Sequence, residues 1–249
     1  MIDPHRFSAF SLASKAIHGY APADTLYRSV ACPIYQTSTF VNPALGSDIR
    51  YSYSRCDNPT RTCLEDTIAL LEGGRAGFAF SSGLAAVLAV FSLLKSGDHV
   101  IVSDDVYGGT YRQINELWKH LGIAFDAVDI GNTGDVRAHV LPNTRMIYAE
   151  TPTNPMMKVA DIAALADIAH QNGALLAIDN TFLTPLFQRP LSLGADIVLH
   201  SATKYLSGHH DTIAGLVTAN DQAVIDRLEL IKRTQGTGLA PFDCFLVLR

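Results

Sequence analysis

From residue 60 onward, short apolar runs alternate with longer stretches whose apolar residues recur every three or four positions, as strands interleaved with amphipathic helices do. The runs at 77–80, 99–103, 123–128, 145–149, 175–179, 197–200 and 213–219 predict seven strands. Helices are predicted over 59–71, 84–95, 107–120, 161–171 and 221–233. Asn58-Pro59 supplies a cap and first position, and Gly73, Gly97, Gly122 and Gly173 supply stops. Strand interiors such as Leu175-Leu-Ala-Ile178 lack strict alternation, which is expected where helices cover both faces of a sheet. The predicted class is therefore α/β, with a mostly parallel seven-stranded sheet between two helical layers.

Residues 1–57 break the pattern. They are rich in Ser, Thr, Tyr and Pro without a period and read as an extended N-terminal arm, with 58–249 as the sheet domain. An arm of this kind cannot bury itself and must pack on its own domain or on another subunit. The chain stops at Phe245-Leu-Val-Leu-Arg249, inside an apolar segment without a cap, and the expectation is a boundary rather than a natural end.

Composition narrows the classes. With 249 residues, 48% hydrophobic and 17% charged, the chain has enough apolar material for a sizeable core. A net charge of -5 without any basic stripe argues against nucleic acid and acidic lipid as partners. No basic segment followed by an apolar one opens the chain, and no run reaches the ~18 apolar residues of a membrane span, so the expected address is the cytoplasm. Cys32, Cys56, Cys63 and Cys244 form no CxxC pair and read as buried thiols of a reducing compartment.

The candidate chemistry lies at strand ends. Lys204, in Ser201-Ala-Thr-Lys-Tyr205, follows the apolar run that ends at His200, and Asp179 ends the preceding one. A lysine on a loop is by default a surface residue, and an aspartate there is by default a cap. Open α/β sheets, however, bind ligands beyond the carboxyl ends of their strands, which would place both residues at one crevice. Ser81-Ser-Gly83-Leu84 joins a strand to a helix whose free N–H groups suit a phosphate, with Ser201 and Thr203 as further donors. Tyr107 follows another strand and overlooks the same place. An amine for a Schiff base, a carboxylate for a pyridinium nitrogen and hydroxyls for a phosphate are the set that pyridoxal phosphate chemistry requires. His209-His-Asp211 lacks the helical spacing of a zinc motif, so no metal is expected. Gly73-Gly-Arg-Ala-Gly77 precedes a strand where a dinucleotide fingerprint must follow one.

Taken in order, Pro33-Ile-Tyr-Gln-Thr-Ser-Thr-Phe40, Tyr53-Ser-Arg55, Asn58-Pro-Thr60, Ser81-Ser-Gly-Leu84, Tyr107-Gly-Gly109, Glu150-Thr-Pro-Thr-Asn-Pro155, Asp179-Asn-Thr181 and Ser201-Ala-Thr-Lys-Tyr205 resemble the cysteine and methionine metabolism pyridoxal-phosphate enzymes of fold type I. These include cystathionine β- and γ-lyases and cystathionine γ-synthase. The resemblance implies that Lys204 carries the cofactor, that Asp179 holds its ring nitrogen and that Tyr107 stacks on it and serves as a further acid or base. Ser201, Thr203 and the N–H groups of Gly83 and Leu84 would take the phosphate, and Asn154 would approach the phenolic oxygen. Tyr53 and Arg55 would cross to a neighbouring subunit's phosphate, implying a homodimer of shared sites, commonly paired into a homotetramer. Family members continue into a C-terminal domain that bears the arginine for the substrate carboxylate, and this sequence ends before it.

The expected activity is carbon–sulfur lysis of cystathionine or a related sulfur amino acid by β- or γ-elimination, in amino-acid biosynthesis and transsulfuration. The alternative is cystathionine γ-synthase, a γ-replacement on an activated homoserine. Methionine γ-lyase stands behind both, because Gly109 occupies the place of that enzyme's cysteine; Ser52 stands where animal cystathionine γ-lyases carry an acid, which tells against their mode of recognising the far end of cystathionine. The non-enzyme reading is a cofactor-binding fragment.

Overall fold

The computed structural model describes residues 7–20 and 27–249. Seven strands form one sheet: β1 (Ala76–Phe80), β2 (His99–Ser103), β3 (Ala124–Val128), β4 (Thr144–Glu150), β5 (Leu175–Asp179), β6 (Ile197–Ser201) and β7 (Gly215–Ala219). Their spatial order is β1-β7-β6-β5-β4-β2-β3. Only β7 is reversed, pairing antiparallel with β6 and β1, while β2 through β6 pair in parallel. The predicted fold class is therefore the observed one, and each predicted strand falls within two residues of its position.

The missing alternation has the physical cause expected of it. Along β1, Phe78 and Phe80 face one layer and Ala79 the other; along β4, Met146 and Tyr148 face one layer and Ile147 and Ala149 the other. One layer contains α3 (Gly83–Phe91) and α8 (Gln222–Gln235), and the other contains α2 (Pro59–Glu72), α6 (Ile162–Gln171) and α9 (Pro241–Leu248). Phe91 is fully buried at the centre of the first layer, edge-on to Trp118, Phe125 and Tyr148. Local signals set the helix ends. Asn58 accepts the Thr60 N–H at 3.0 Å ahead of Pro59, and Gly73 stops α2 in the left-handed conformation with φ 74°.

The structure departs from expectation in four places. The arm is not wholly extended, since Ser11 caps a short helix, α1 (Leu12–His18), whose apolar residues are too few to show a period. The predicted helix over 107–120 divides into α4 (Gly108–Gln113), a π-helical turn (Ile114–Trp118) and a 3-10 turn (Lys119–Leu121). The predicted helix over 84–95 gives up its helical pattern after Phe91, where Leu93 and Leu94 tighten to three-residue hydrogen bonds. Short helices α5 (Thr133–Ala138) and α7 (Thr184–Phe187), with the 3-10 turn Pro190–Leu193, fall in stretches read as connections. The final apolar segment belongs to α9, which packs on α2. Residues 1–6 and 21–26 of the predicted arm lie outside the described residues. Among the described residues, no helix is long and apolar enough to cross a membrane.

Replacing Phe91 with Ala removes the ring that three aromatic neighbours share and should cost about 3–5 kcal/mol of stability. Replacing the exposed Tyr111 with Ala should change stability by less than about 0.5 kcal/mol. Urea unfolding of both variants measures the contrast.

Candidate active site

Parallel strands of similar length deliver their carboxyl ends to one side of the sheet, and a cavity of about 300 Å³ lies there. β6 leads into Ser201, Thr203 and Lys204, and β5 into Asp179 and Thr181; β4 ends at Glu150, followed by Asn154, and the loop after β2 carries Tyr107. β1 runs in the same sense as β6, so the start of α3 with Gly83 and Leu84 joins them. Eight of the ten residues singled out from the sequence thus line one cavity.

The remaining two do not. Arg55 turns to its own chain, where Nη1 donates to the Arg233 carbonyl at 2.5 Å and the guanidinium lies over the Tyr53 ring at 5.2 Å. Neither Tyr53 nor Arg55 lines the cavity.

The phosphate-sized end is shaped by Gly83. A Cβ there would fall 2.7 Å from the Cβ of Ser201 and 2.9 Å from its Oγ, so only glycine lets the start of α3 approach Ser201 this closely. Ser82 caps α3 by accepting the Ala85 N–H at 3.0 Å. The Gly83 and Leu84 N–H groups have no protein acceptor among the described residues, and they lie where the helix dipole is positive. Thr203 differs from expectation in one respect: its hydroxyl donates to the Ala214 carbonyl at 3.2 Å and accepts the Ala214 N–H at 3.0 Å. It therefore has a lone pair, and no proton, to spare.

The ends of β4 and β5 bring acids to the cavity. The Asp179 Oδ1 accepts both the hydroxyl and the N–H of Thr181, at 2.5 and 3.1 Å, and Oδ2 accepts the Tyr148 hydroxyl at 3.3 Å. Burial pushes the Asp179 carboxyl above the usual range, and the hydrogen bonds from Thr181 offset part of that. Glu150, which the sequence reading did not single out, uses one carboxylate to join two loops. Oε2 accepts the Tyr107 N–H at 2.8 Å and Oε1 the Asn154 N–H at 2.9 Å. Burial, followed by the charge of Asp179, pushes its pKa up to about 8. The signal for Glu150 and Thr181 was available, because both lie inside quoted motifs at strand ends, but their partners are remote in the chain.

Gly109 is held to glycine by Tyr107: a Cβ would fall 2.5 Å from the ring's Cε1. A cysteine at 109 therefore requires Tyr107 to move.

The profile of the Cys/Met metabolism PLP-dependent enzyme family matches residues 13–249. The chain belongs to that family. It is 50% identical over 239 residues to a cystathionine beta-lyase of Lactococcus lactis subsp. cremoris, covering 96% of this chain and 63% of that protein. It is also 50% identical over 233 residues to a cystathionine gamma-lyase of Bacillus subtilis (strain 168), covering 94% and 62%. Among solved structures, a cystathionine gamma-lyase from Lactobacillus plantarum complexed with L-serine superposes with a TM-score of 0.94 at 46% identity, over 96% of this chain and 63% of that one. The chain thus spans somewhat under two thirds of the length of these relatives.

Pyridoxal phosphate, the family's cofactor, fits what the cavity offers. The free N–H groups of Gly83 and Leu84 at the start of α3, which Gly83 lets pack beside the Ser201 hydroxyl, suit a phosphate. The Asp179 carboxylate, buried with no ion-pair partner among the described residues, suits a protonated ring nitrogen.

Glu150 yields a test in the cofactor-free protein. Its carboxyl keeps its proton to about pH 8 when folded, against an ordinary value of 4.5, so the folded state binds the extra proton between those limits. Stability should accordingly fall as pH rises through that window. Glu150→Gln loses one acceptor for the Tyr107 and Asn154 N–H groups, but it should remove this part of the slope, so that its urea midpoint gains on the parent's as pH rises from 5 to 9.

Proposed function

We propose that this chain is the cofactor-binding portion of a pyridoxal-phosphate-dependent carbon–sulfur lyase that cleaves cystathionine or a related sulfur amino acid by β- or γ-elimination. The observation that carries the reading is the convergence of Lys204, Asp179, Ser201 and the start of α3 on one cavity. Pyridoxal phosphate, when bound, supplies an electron-withdrawing ring that spreads the charge left at a substrate Cα.

The protein's own groups divide the remaining work. Lys204 is the attachment lysine, and other lysines with ion-pair partners are ill placed for it. Lys158 is tied to Asp104 at 2.7 Å, and Lys232 is buried against Glu65 at 3.2 Å. With the cofactor and substrate in place, the Lys204 amine would take the substrate Cα proton and return it as a general base and acid. Asp179 holds a proton on the ring nitrogen, oriented by Thr181 and Tyr148. The N–H groups of Gly83 and Leu84 and the Ser201 hydroxyl donate to the phosphate, and Thr203 can add a donor only by releasing the Ala214 carbonyl. Asn154 reaches the phenolic oxygen. Tyr107, about half exposed at the mouth, covers the cofactor and serves as the second acid or base. Glu150 keeps the Tyr107 and Asn154 loops at a set distance.

The enzyme is proposed to be cytoplasmic and to work as a homodimer with shared sites, or as a tetramer of such dimers. Tyr53 and Arg55 stand on the arm, away from their own chain's cavity, and an arginine there suits a neighbour's phosphate.

In the full-length protein, cystathionine alone should yield pyruvate or 2-oxobutyrate, which separates β- from γ-elimination in one digest. Lys204→Ala should lower turnover by at least about 10²-fold. Product formed only from an acylated homoserine with cysteine would identify a γ-synthase, and a yellow protein without turnover would identify a binding fragment. Mixing full-length Arg55→Ala and Lys204→Ala subunits, each inactive alone, should regenerate activity, because one site of a mixed dimer receives both parent residues. Its absence after confirmed subunit exchange would place Arg55 in the service of its own chain.

A further inference from the structure

Two cysteines that the cofactor site does not use lie against each other. Cys32, on the arm, and Cys63, on α2, are both buried free thiols whose Sγ atoms meet in a hydrogen-bond contact at 2.6 Å, so a small movement would bring them to the ~2.05 Å of a covalent S–S bond. The approach is set by three hydrogen bonds one helical turn away. Thr60 Oγ1 donates to the Pro33 carbonyl at 2.7 Å and accepts the Tyr35 N–H at 2.9 Å, and Asn58 Nδ2 donates to the Tyr35 carbonyl at 2.9 Å. Those bonds lay residues 33–35 across the start of α2, so the side chain before them meets the side chain at 63.

No other pair of cysteines is in hydrogen-bond contact among the described residues. Cys244 turns its thiol to the Leu239 carbonyl at 3.7 Å. Of the pair, Cys32 at 6% exposure is the one that faces a groove. It lines a groove of about 510 Å³ with Tyr20, Leu64, Ile68 and Val247, whereas Cys63 does not line it.

We propose that Cys32 and Cys63 form a thiol–disulfide site that joins the arm to the body when the protein meets a low-molecular-weight disulfide. The Cys32 thiolate attacks one sulfur of the external disulfide, forms a mixed disulfide and releases one small thiolate. Cys63 then attacks the Cys32 sulfur, forms the intrachain bond and releases the second. The two protons lost by the cysteines go to the two small thiolates, and the two electrons lost by the cysteine sulfurs reduce the external disulfide to two thiols. Electrostatics favour this order: contact with Cys63 holds the Cys32 thiol below its ordinary value, while that contact and burial push Cys63 up. The bond would close a loop of about thirty residues that carries Tyr53 and Arg55, and so fix the base of the arm whose tip is proposed to serve a neighbour.

The test uses reduced full-length holoenzyme incubated with oxidised glutathione, then blocked with an alkylating agent and digested. The expected result is a linked peptide pair containing Cys32 and Cys63, the loss of those two thiols together, and an upward shift in unfolding temperature on the order of 5 °C that dithiothreitol reverses. Cys32→Ala and Cys63→Ala should each abolish both the linked peptide and the shift. Glutathione found only on Cys56, or both thiols still alkylated after oxidation of the parent protein, would overturn the proposal. Either result is read on the parent protein, so a variant that folds poorly does not decide it.

Discussion

One hydroxyl holds the site together. Thr181 donates to the Asp179 carboxylate at 2.5 Å and accepts the Ser201 N–H at 2.8 Å, so the ends of β5 and β6 are joined through a single side chain. Parallel pairing, with Asp179 opposite Leu199, brings the two ends near each other, and the Thr181 bridge sets how the carboxylate is turned. Lys204 stands three residues beyond Ser201, and the wall of Gly83 is packed against Ser201. The acid, the amine and the anion cradle therefore all take their places from that bridge.

Charge divides the molecule in two. Away from the cavity, two buried groups are paired with partners of opposite character. His200 meets Glu72 at 2.6 Å with both side chains fully enclosed, and Lys232 lies between Glu65 at 3.2 Å and Asp57 at 3.6 Å. At the cavity, Asp179 and Glu150 have hydrogen bonds and no ion-pair partner among the described residues, and each is pushed upward by burial. Structural ion pairs cancel their own fields, whereas two acids and a helix N-terminus lining one cavity leave a field for a ligand to complete. Such a polarity matches a molecule that carries a proton on a ring at one end and a phosphate at the other.

The two helical layers carry out different tasks around this field. The aromatic cluster on Phe91 stiffens the layer beneath Tyr148, whose hydroxyl reaches Asp179 from the core side. On the other face, α2 carries the Glu72 partner of His200 and also receives the arm at Thr60 and Cys63. The arm, the core and the strand ends are thus coupled through one helix.

Much of this was legible in the chain itself. Apolar runs of strand length and helical spacing between them specified the α/β class, because each element's period follows from its own backbone geometry. Caps such as Asn58-Pro59 and stops such as Gly73 are equally local, and Lys204, Asp179, Ser201 and Gly83 could be placed at one edge because strand ends in a parallel sheet must share it. Helices α1 and α5 were missed because six or seven residues are too few to show a period. The roles of Glu150 and Thr181, the two-way engagement of Thr203 with Ala214, the turn of Arg55 toward Arg233 and the meeting of Cys32 with Cys63 were decided by tertiary structure alone. Each depends on a partner brought from another element, and a hydrogen bond or a shifted pKa is a property of that neighbour's distance and of lost water, which no residue carries in its own place in the chain.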